Sequence, residues 1–280
     1  MNARLAIWSY YFHEMSPEDA VLEFIDNGIY ASELSDEHGA ELFSRSDDYI
    51  ETGKKFGEFL REHNFCMLQG HLWLKAKICS DEGAVETLCK WIDMYEAIGI
   101  KNMVLHCDEF RGEYIPKNEK RTRNLERLKL IAEHVKDKNV TICLENLTAV
   151  RLEISEDILT SRTADDLLYY IEQLGSDRFG ICLDTGHLNL TDKDQTKFIL
   201  RANKRLKALH IADNEGVKDQ HMMPYAKGNI NFVEVVKALR EVGYDGLFNL
   251  EIGGETKIPL ELRREKLKYI KACYDYLMTR

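Results

Sequence analysis

Four residues of this 280-residue chain have the types of a cage for a hard divalent cation: Glu145, Asp184, His210 and Glu251. Each closes a short apolar run: Leu144-Glu145-Asn146, Cys182-Leu183-Asp184-Thr185-Gly186-His187, Leu209-His210-Ile211-Ala212-Asp213 and Leu250-Glu251-Ile252. An ionisable group in an apolar strand is costly unless it is paired or bound to a metal. Three carboxylates and an imidazole suit Mn²⁺, Zn²⁺, Co²⁺ or Mg²⁺, whereas a structural zinc site would draw on Cys thiolates. Two further runs end in Gly70-His71 and Leu105-His106, and Asp219-Gln220-His221 follows the His210 run. Taken singly, each has a bland explanation: a lone His ending a strand is usually a satisfied polar side chain, Asp184-Thr185-Gly186 a turn or helix cap, Glu251 a loop residue. Six such clusters at six successive run ends argue together for a site.

The runs that carry these residues are short, β-rich and apolar: Leu5–Tyr10, Gly28–Leu34, Phe65–Leu72, Asn102–Cys107, Val140–Leu147, Phe179–Asp184, Leu206–Ala212 and Leu247–Ile252. Near-continuous apolar character marks parallel strands covered on both faces. The segments between them read as helices with recognisable ends. Ser16-Pro17 starts one that Asn27-Gly28 closes, Thr163 starts one that Gly175 stops, Asn231 starts one that Gly243 ends, and Leu260–Met278 is a last amphipathic helix. Eight strands alternating with helices predict an α/β protein, a single (β/α)8 TIM barrel over residues 1–280, with the ionisable ends on its catalytic face. Trp8-Ser9-Tyr10-Tyr11-Phe12 lacks the Gly-rich turn that would follow the first strand of a dinucleotide-binding sheet.

Lys plus Arg number 38 against 48 Asp plus Glu, a formal charge of -10. Nucleic-acid affinity rests largely on cationic contacts to phosphates, so this balance argues against a general nucleic-acid binder. Mean hydropathy is -0.38, and no apolar stretch approaches the roughly 18 residues of a membrane helix. Met1 to Tyr10 carries no signal-peptide pattern. The seven Cys are scattered without a C-x-x-C pair, and several lie within apolar strand-like runs, which suggests buried reduced thiols. The expectation is a cytoplasmic protein without membrane contact.

Elsewhere the residues argue less. His13, His38, His63 and His134 read as solvated loop or helix residues, and His13 alone falls close enough to strand one to border the site. Trp8, Tyr10, Trp73 and Phe110 lie near strand ends, where they wall a small polar ligand or pack the core or the rim. Lys117 to Arg127 reads as the solvated side of an amphipathic helix.

From Leu5 to the last helix the chain resembles the xylose isomerase-like barrel superfamily, which holds sugar-phosphate isomerases and epimerases, ketose 3-epimerases, inosose dehydratases and endonuclease IV-type apurinic-site endonucleases. Leu144-Glu145-Asn146, Asp184-Thr185-Gly186-His187, His210-Ile211-Ala212-Asp213, Asp219-Gln220-His221 and Glu251 carry the likeness. It implies a metal-dependent isomerase or epimerase of a sugar or sugar phosphate, working through a metal-stabilised enediolate. Glu145, Asp184, His210 and Glu251 would hold one ion, Glu145 and Glu251 would move protons on opposite faces of the substrate, and His187 would bind a substrate oxygen. The endonuclease branch implies instead three zinc ions, on a set that adds His71, His106, His187, Asp219 and His221 to those four. A polyol dehydratase would use the same single-ion groups. The epimerases also use an arginine near the loop after His221; here Lys218 and Lys227 stand there, able to bind a phosphate or a hydroxyl. The partner implied is a small-molecule sugar, with homo-oligomerisation left open.

Overall fold

The computed structural model describes residues 3–110, 114–149, 155 and 158–280. Its strands are β1 (Arg4–Trp8), β2 (Ala31–Leu34), β3 (Cys66–His71), β4 (Asn102–Leu105), β5 (Thr141–Glu145), β6 (Phe179–Asp184), β7 (Leu206–His210) and β8 (Leu247–Leu250). They pair in parallel in the order β7-β6-β5-β4-β3-β2-β1-β8. The ring closes just above β7 and β8, where Ile211 N donates to Asn249 O at 2.8 Å and Glu251 N donates to Ile211 O at 3.1 Å. This is the expected eight-stranded barrel.

Ten α-helices are seen among the described residues: α1 (Pro17–Asp26), α2 (Asp36–Ser44), α3 (Tyr49–Glu62), α4 (Ala84–Ile98), α5 (Lys117–Val135), α6 (Ala164–Leu174), the one-turn α7 (Thr185–Asn189), α8 (Gln195–Ala202), α9 (Phe232–Glu241) and α10 (Leu260–Met278). The anticipated signals work as caps. Ser16 Oγ accepts from Asp19 N, Thr163 and Asp166 form a reciprocal capping box, and Asn231 accepts from Glu234 N. Gly28 and Gly175, at φ 75° and 58°, take the left-handed conformation that ends a helix without steric cost.

Side-chain parity decides what each strand contributes. One set of alternate residues (Ile142, Leu144, Ile181, Leu183, Leu209) joins the core with helix residues such as Leu128, Leu167 and Val235. The other set points into the barrel, where Val104, Cys143, Cys182 and Ala208 form a separate buried cluster. Two positions further along the same parity come His106, Glu145, Asp184 and His210, so the period of 2 stacks the ionisable layer on an apolar one. The ladders are shorter than the apolar runs: Tyr10 falls in a 3-10 turn (Ser9–Phe12), and His106 and Glu251 lie one position beyond β4 and β8.

Two expectations are corrected. Lys120, within the stretch read as solvated, is fully buried; its Nζ donates to Glu109 O at 2.6 Å and lies 3.5 Å from Glu109 Oε2. Glu109 Oε1 in turn accepts from Thr160 N, Thr160 Oγ1 and Ser161 Oγ at 2.7–2.9 Å, and burial raises its pKa. Charge pattern marks a helix face but not the one position beneath which a partner waits. His38 is also buried, bridging Ser9 Oγ and Met15 O at 2.8 and 3.1 Å. His63 and His134 are half-buried and bonded to Phe59 O and Asp93 Oδ1; His13 is exposed and stacks on Tyr10.

Candidate metal centre

The motif residues assemble their own scaffold. Asn146 clamps the Asp184 backbone in both directions, its Oδ1 accepting from Asp184 N at 2.7 Å and its Nδ2 donating to Asp184 O at 2.9 Å. Asp184 caps α7 by accepting from His187 N at 2.7 Å, which turns one carboxylate oxygen to the backbone and leaves the other for the barrel. Thr185 Oγ1 donates to Ala212 O at 2.7 Å and accepts from Ala212 N at 3.0 Å, tying the rim above β6 to that above β7. Asp-Thr-Gly-His is therefore a cap, a clamp, a close approach of Gly186 to the Asn214 amide and an inward imidazole.

Around this scaffold the candidate ligands converge. Glu145 is the hub: its Oε2 lies 2.9 Å from His106 Nε2, 3.6 Å from His71 Nε2 and 3.2 Å from His210 Nδ1, and its Oε1 lies 3.1 Å from His187 Nδ1. His210 Nδ1 is also 3.5 Å from Glu251 Oε2, and His187 Nδ1 3.5 Å from Asp184 Oδ2. Asp219 Oδ2 lies 3.2 Å from His187 Nε2 and 3.1 Å from His221 Nε2, and His221 Nδ1 lies 3.5 Å from Glu251 Oε2. Two ligands on one tetrahedral ion, each at about 2.1 Å, stand about 3.4 Å apart. Four groups among the described residues, His71–His106–Glu145, Glu145–Cys182–His210, Glu145–Asp184–His187 and Asp184–His210–Glu251, each bring one ligand atom per residue within 4.8 Å of the others.

Hydrogen bonding prepares the imidazoles. His71 Nδ1 donates to Leu72 O, His187 Nδ1 to Asn146 O, His221 Nδ1 to Glu251 O and His210 Nε2 to Glu33 Oε1, all between 2.7 and 3.0 Å. Each bond, by its partner, assigns the proton to one ring nitrogen and leaves a lone pair on the other. That lone pair is on Nε2 of His71, facing Glu145, on Nε2 of His187 and His221, facing Asp219, and on Nδ1 of His210, facing Glu145 and Glu251. The Nδ1 atoms of His187 and His221 therefore stand beside Glu145 and Glu251 as donors. Glu145 Oε1, Asp184 Oδ2 and His210 Nδ1 are buried without a hydrogen-bond partner. Native interiors rarely leave such atoms orphaned, and a divalent cation fits them.

Charge points the same way. Burial, opposed by the His187 charge and reinforced by Glu251, Glu145 and Asp219, pushes the Asp184 carboxyl up to about 7. Burial would raise Glu145 as well, but His106 and His210 outweigh it and hold it well below the usual range. Burial alone would lower His221, yet Glu251 and Asp219 lift it to about 9. The carboxylates thus retain protons on the imidazoles, positive charge that a cation would replace.

All nine predicted ligand positions meet in one cluster. The proposed wall residues are scattered: Trp8 stacks on Tyr10 and, at 6.4 Å, on His221; Trp73 packs against the core; Phe110 is buried beneath Arg123; Lys218 and Lys227 are exposed on the loop after β7. Sequence reasoning missed Glu33, a fully buried carboxylate in β2. Its signal was a charge inside the run Gly28–Leu34, one position before the run's end.

Fold and cluster define a (β/α)8 barrel with an ionisable centre at the C-terminal ends of its strands, the face on which such barrels hold their active sites. The chain belongs to the xylose isomerase-like TIM-barrel family, whose pattern it matches over residues 30–273. It is 28% identical to the uncharacterized protein y4fM of Sinorhizobium fredii over 69% of its own length and 58% of that protein, so it spans little more than half of that relative. It is 25% identical to a probable endonuclease 4 of Metamycoplasma arthritidis, covering 81% of this chain and 84% of that one. It is also 28% identical to a D-psicose 3-epimerase of Enterocloster bolteae over 34% and 33% of the two chains. Among solved structures, D-psicose 3-epimerase with D-tagatose from Clostridium cellulolyticum superposes with a TM-score of 0.80 at 15% identity, covering 98% of this chain and 99% of that one. No helix among the described residues is long and apolar enough to cross a membrane.

Proposed function

We propose that the protein is a divalent-metal-dependent isomerase or epimerase of a sugar or sugar phosphate. The observation that carries this reading is the flanking of His210 Nδ1 by two glutamates, Glu145 Oε2 at 3.2 Å and Glu251 Oε2 at 3.5 Å. Glu145, Asp184, His210 and Glu251 would hold the ion (Mn²⁺, Zn²⁺, Co²⁺ or Mg²⁺). Once bound, it supplies Lewis-acid polarisation of a carbonyl and its neighbouring hydroxyl, which acidifies the C–H between them. Glu145 takes that proton and Glu251 returns one from the other side, inverting the centre; return to the adjacent carbon isomerises it. His187, whose ring is fixed by Asn146 O, orients a substrate oxygen. Likeness to a sugar 3-epimerase in sequence and fold supports the substrate class. The test is a sugar panel in deuterated water: solvent deuterium must enter the epimerised carbon, without the loss of water that would mark a dehydratase.

A second reading is favoured by Asp219, which joins His187 and His221, and by His71 and His106 on Glu145. These five residues exceed a single ion's needs and suit a three-zinc phosphodiesterase acting on abasic DNA, as the endonuclease 4 likeness suggests. The net charge of -10 opposes DNA binding. Nicking of abasic-site DNA, with every sugar left untouched, would replace the first reading by the second.

A further inference from the structure

Below the cluster lies a polar layer that no proton-transfer step uses. Glu33 of β2, Gln69 of β3 and Asn249 of β8 are each at most 1% exposed, inside the barrel, under His210. Glu33 Oε1 accepts from His210 Nε2 at 3.0 Å, while Oε2 accepts from Gln69 Nε2 at 3.0 Å and from Asn249 Nδ2. Register brings the first two together, since Glu33 pairs with Gln69 across β2 and β3.

A buried carboxylate is expensive, and hydrogen-bond count does not demand one here. Gln69 Nε2 keeps a second acceptor in Leu209 O at 3.1 Å, and Asn249 Oδ1 is buried without a partner, so the Asn249 amide, flipped, could accept from a glutamine at position 33. What a glutamine would not supply is the negative charge behind His210. The other face of that ring presents Nδ1 to Glu145 and Glu251, and Nδ1 has no hydrogen-bond partner. Taking the cluster as a divalent-cation site, as the proposed function does, we infer that Glu33 is a positioning residue acting through His210: it fixes the proton on Nε2, turns the Nδ1 lone pair to the cation and strengthens that lone pair by its charge. A carboxylate behind a ligating imidazole raises the ligand's basicity and locks its orientation, and its loss typically weakens metal binding 10–100-fold.

The test uses the full chain, stripped with a chelator and titrated with Zn²⁺ and with Mn²⁺ against a chromogenic competitor. Glu33→Gln is expected to bind each ion about 10–100-fold more weakly and Glu33→Asp to recover part of the loss. The chelator-stripped melting temperature of Glu33→Gln should match the parent, which separates this role from a merely structural one. In the zinc-loaded parent, ¹⁵N NMR should find His210 ligating through Nδ1 with a proton on Nε2. Binding by Glu33→Gln within twofold of the parent, or His210 ligation through Nε2, overturns the inference while the metal site stands. A parent chain that takes up neither ion overturns the metal reading and this inference with it. Should Glu33→Gln fail to fold, the NMR result on the parent decides.

Discussion

His187 Nε2 and Asp219 Oδ2 lie 3.2 Å apart, one from the turn after β6 and the other from the loop after β7. Because His187 Nδ1 donates to Asn146 O, a neutral ring turns its lone pair toward the carboxylate. Two acceptors at that distance need a positive charge to hold them: a proton on the ring, or a cation. The same condition recurs at His221–Asp219 and His210–Glu145, so each of these contacts calls for a positive charge, a proton or a cation, between its two partners.

Removing cage ligands should therefore remove the ion and the stability it adds. Asp184→Asn is a sharp variant because Asn remains a good helix cap and can keep the bond from His187 N, while its charge is gone. His210→Ala removes the imidazole outright. Both are expected to lose metal by elemental analysis. At an ion concentration of 100 times Kd, binding contributes about 2.7 kcal/mol, so the metal-dependent part of Tm, about 5 °C for a chain of this size, should vanish. Unchanged metal content in both variants would defeat the cage.

Glu145→Gln should remove turnover while the fold survives, since the amide keeps the volume of the hub but cannot accept a proton. Loss of a general base typically costs 10²–10⁴-fold. The measurement is deuterium exchange at the reacting carbon of a turned-over sugar, with circular dichroism as the control for folding. Full exchange in the variant would move the base elsewhere.

Much of the barrel was legible because two periodicities coincide. Apolar runs of strand length alternate with capped helices, and period-2 parity carries Glu145, Asp184 and His210 to one end of the barrel. The four strand ends proposed as metal ligands were visible as charges that apolar runs do not tolerate. Glu33 obeyed the same rule and was passed over, because Gly28–Leu34 ends in Leu34 and its charge lies one residue inside. Lys120 and His38 were illegible for a different reason: each sits in a polar helix, and its burial depends on a partner distant in sequence, Glu109 for one and Ser9 with Met15 for the other.

Lys120→Met tests that distinction directly. If the lysine were solvated, the change would fall within about 0.5 kcal/mol. Buried as it is, its removal strands the Glu109 carboxylate among Thr160 and Ser161 with no cation among the described residues. Breaking a buried pair in this way costs about 3–5 kcal/mol. Urea denaturation should show the midpoint falling with the slope unchanged; a midpoint equal to that of the parent would return Lys120 to the surface.

His38 sets an acid-side limit on stability independent of the cluster. Its neutral ring is fully satisfied, Nε2 donating to Met15 O and Nδ1 accepting from Ser9 Oγ. Burial is the largest influence and lowers its pKa below 6.5, with His13 adding to the effect and the Met15 carbonyl, Glu41 and Glu18 opposing it. The unfolded chain protonates this histidine as pH falls through 6.5 while the native one does not, so the unfolded state binds more protons and stability drops on acidification. Stability from this group is present above pH 6.5 and is lost as pH descends toward the lower native value. The slope contributed is at most about 1.4 kcal/mol per pH unit. His71, His187, His210 and His221, whose pKa values are raised, act with the opposite sign, so the informative quantity is the difference between parent and His38→Gln. Urea unfolding at pH 7, 6 and 5 should give a shallower acid loss in the variant. Parallel profiles would mean that His38 gains a proton in the native state as readily as in the unfolded one.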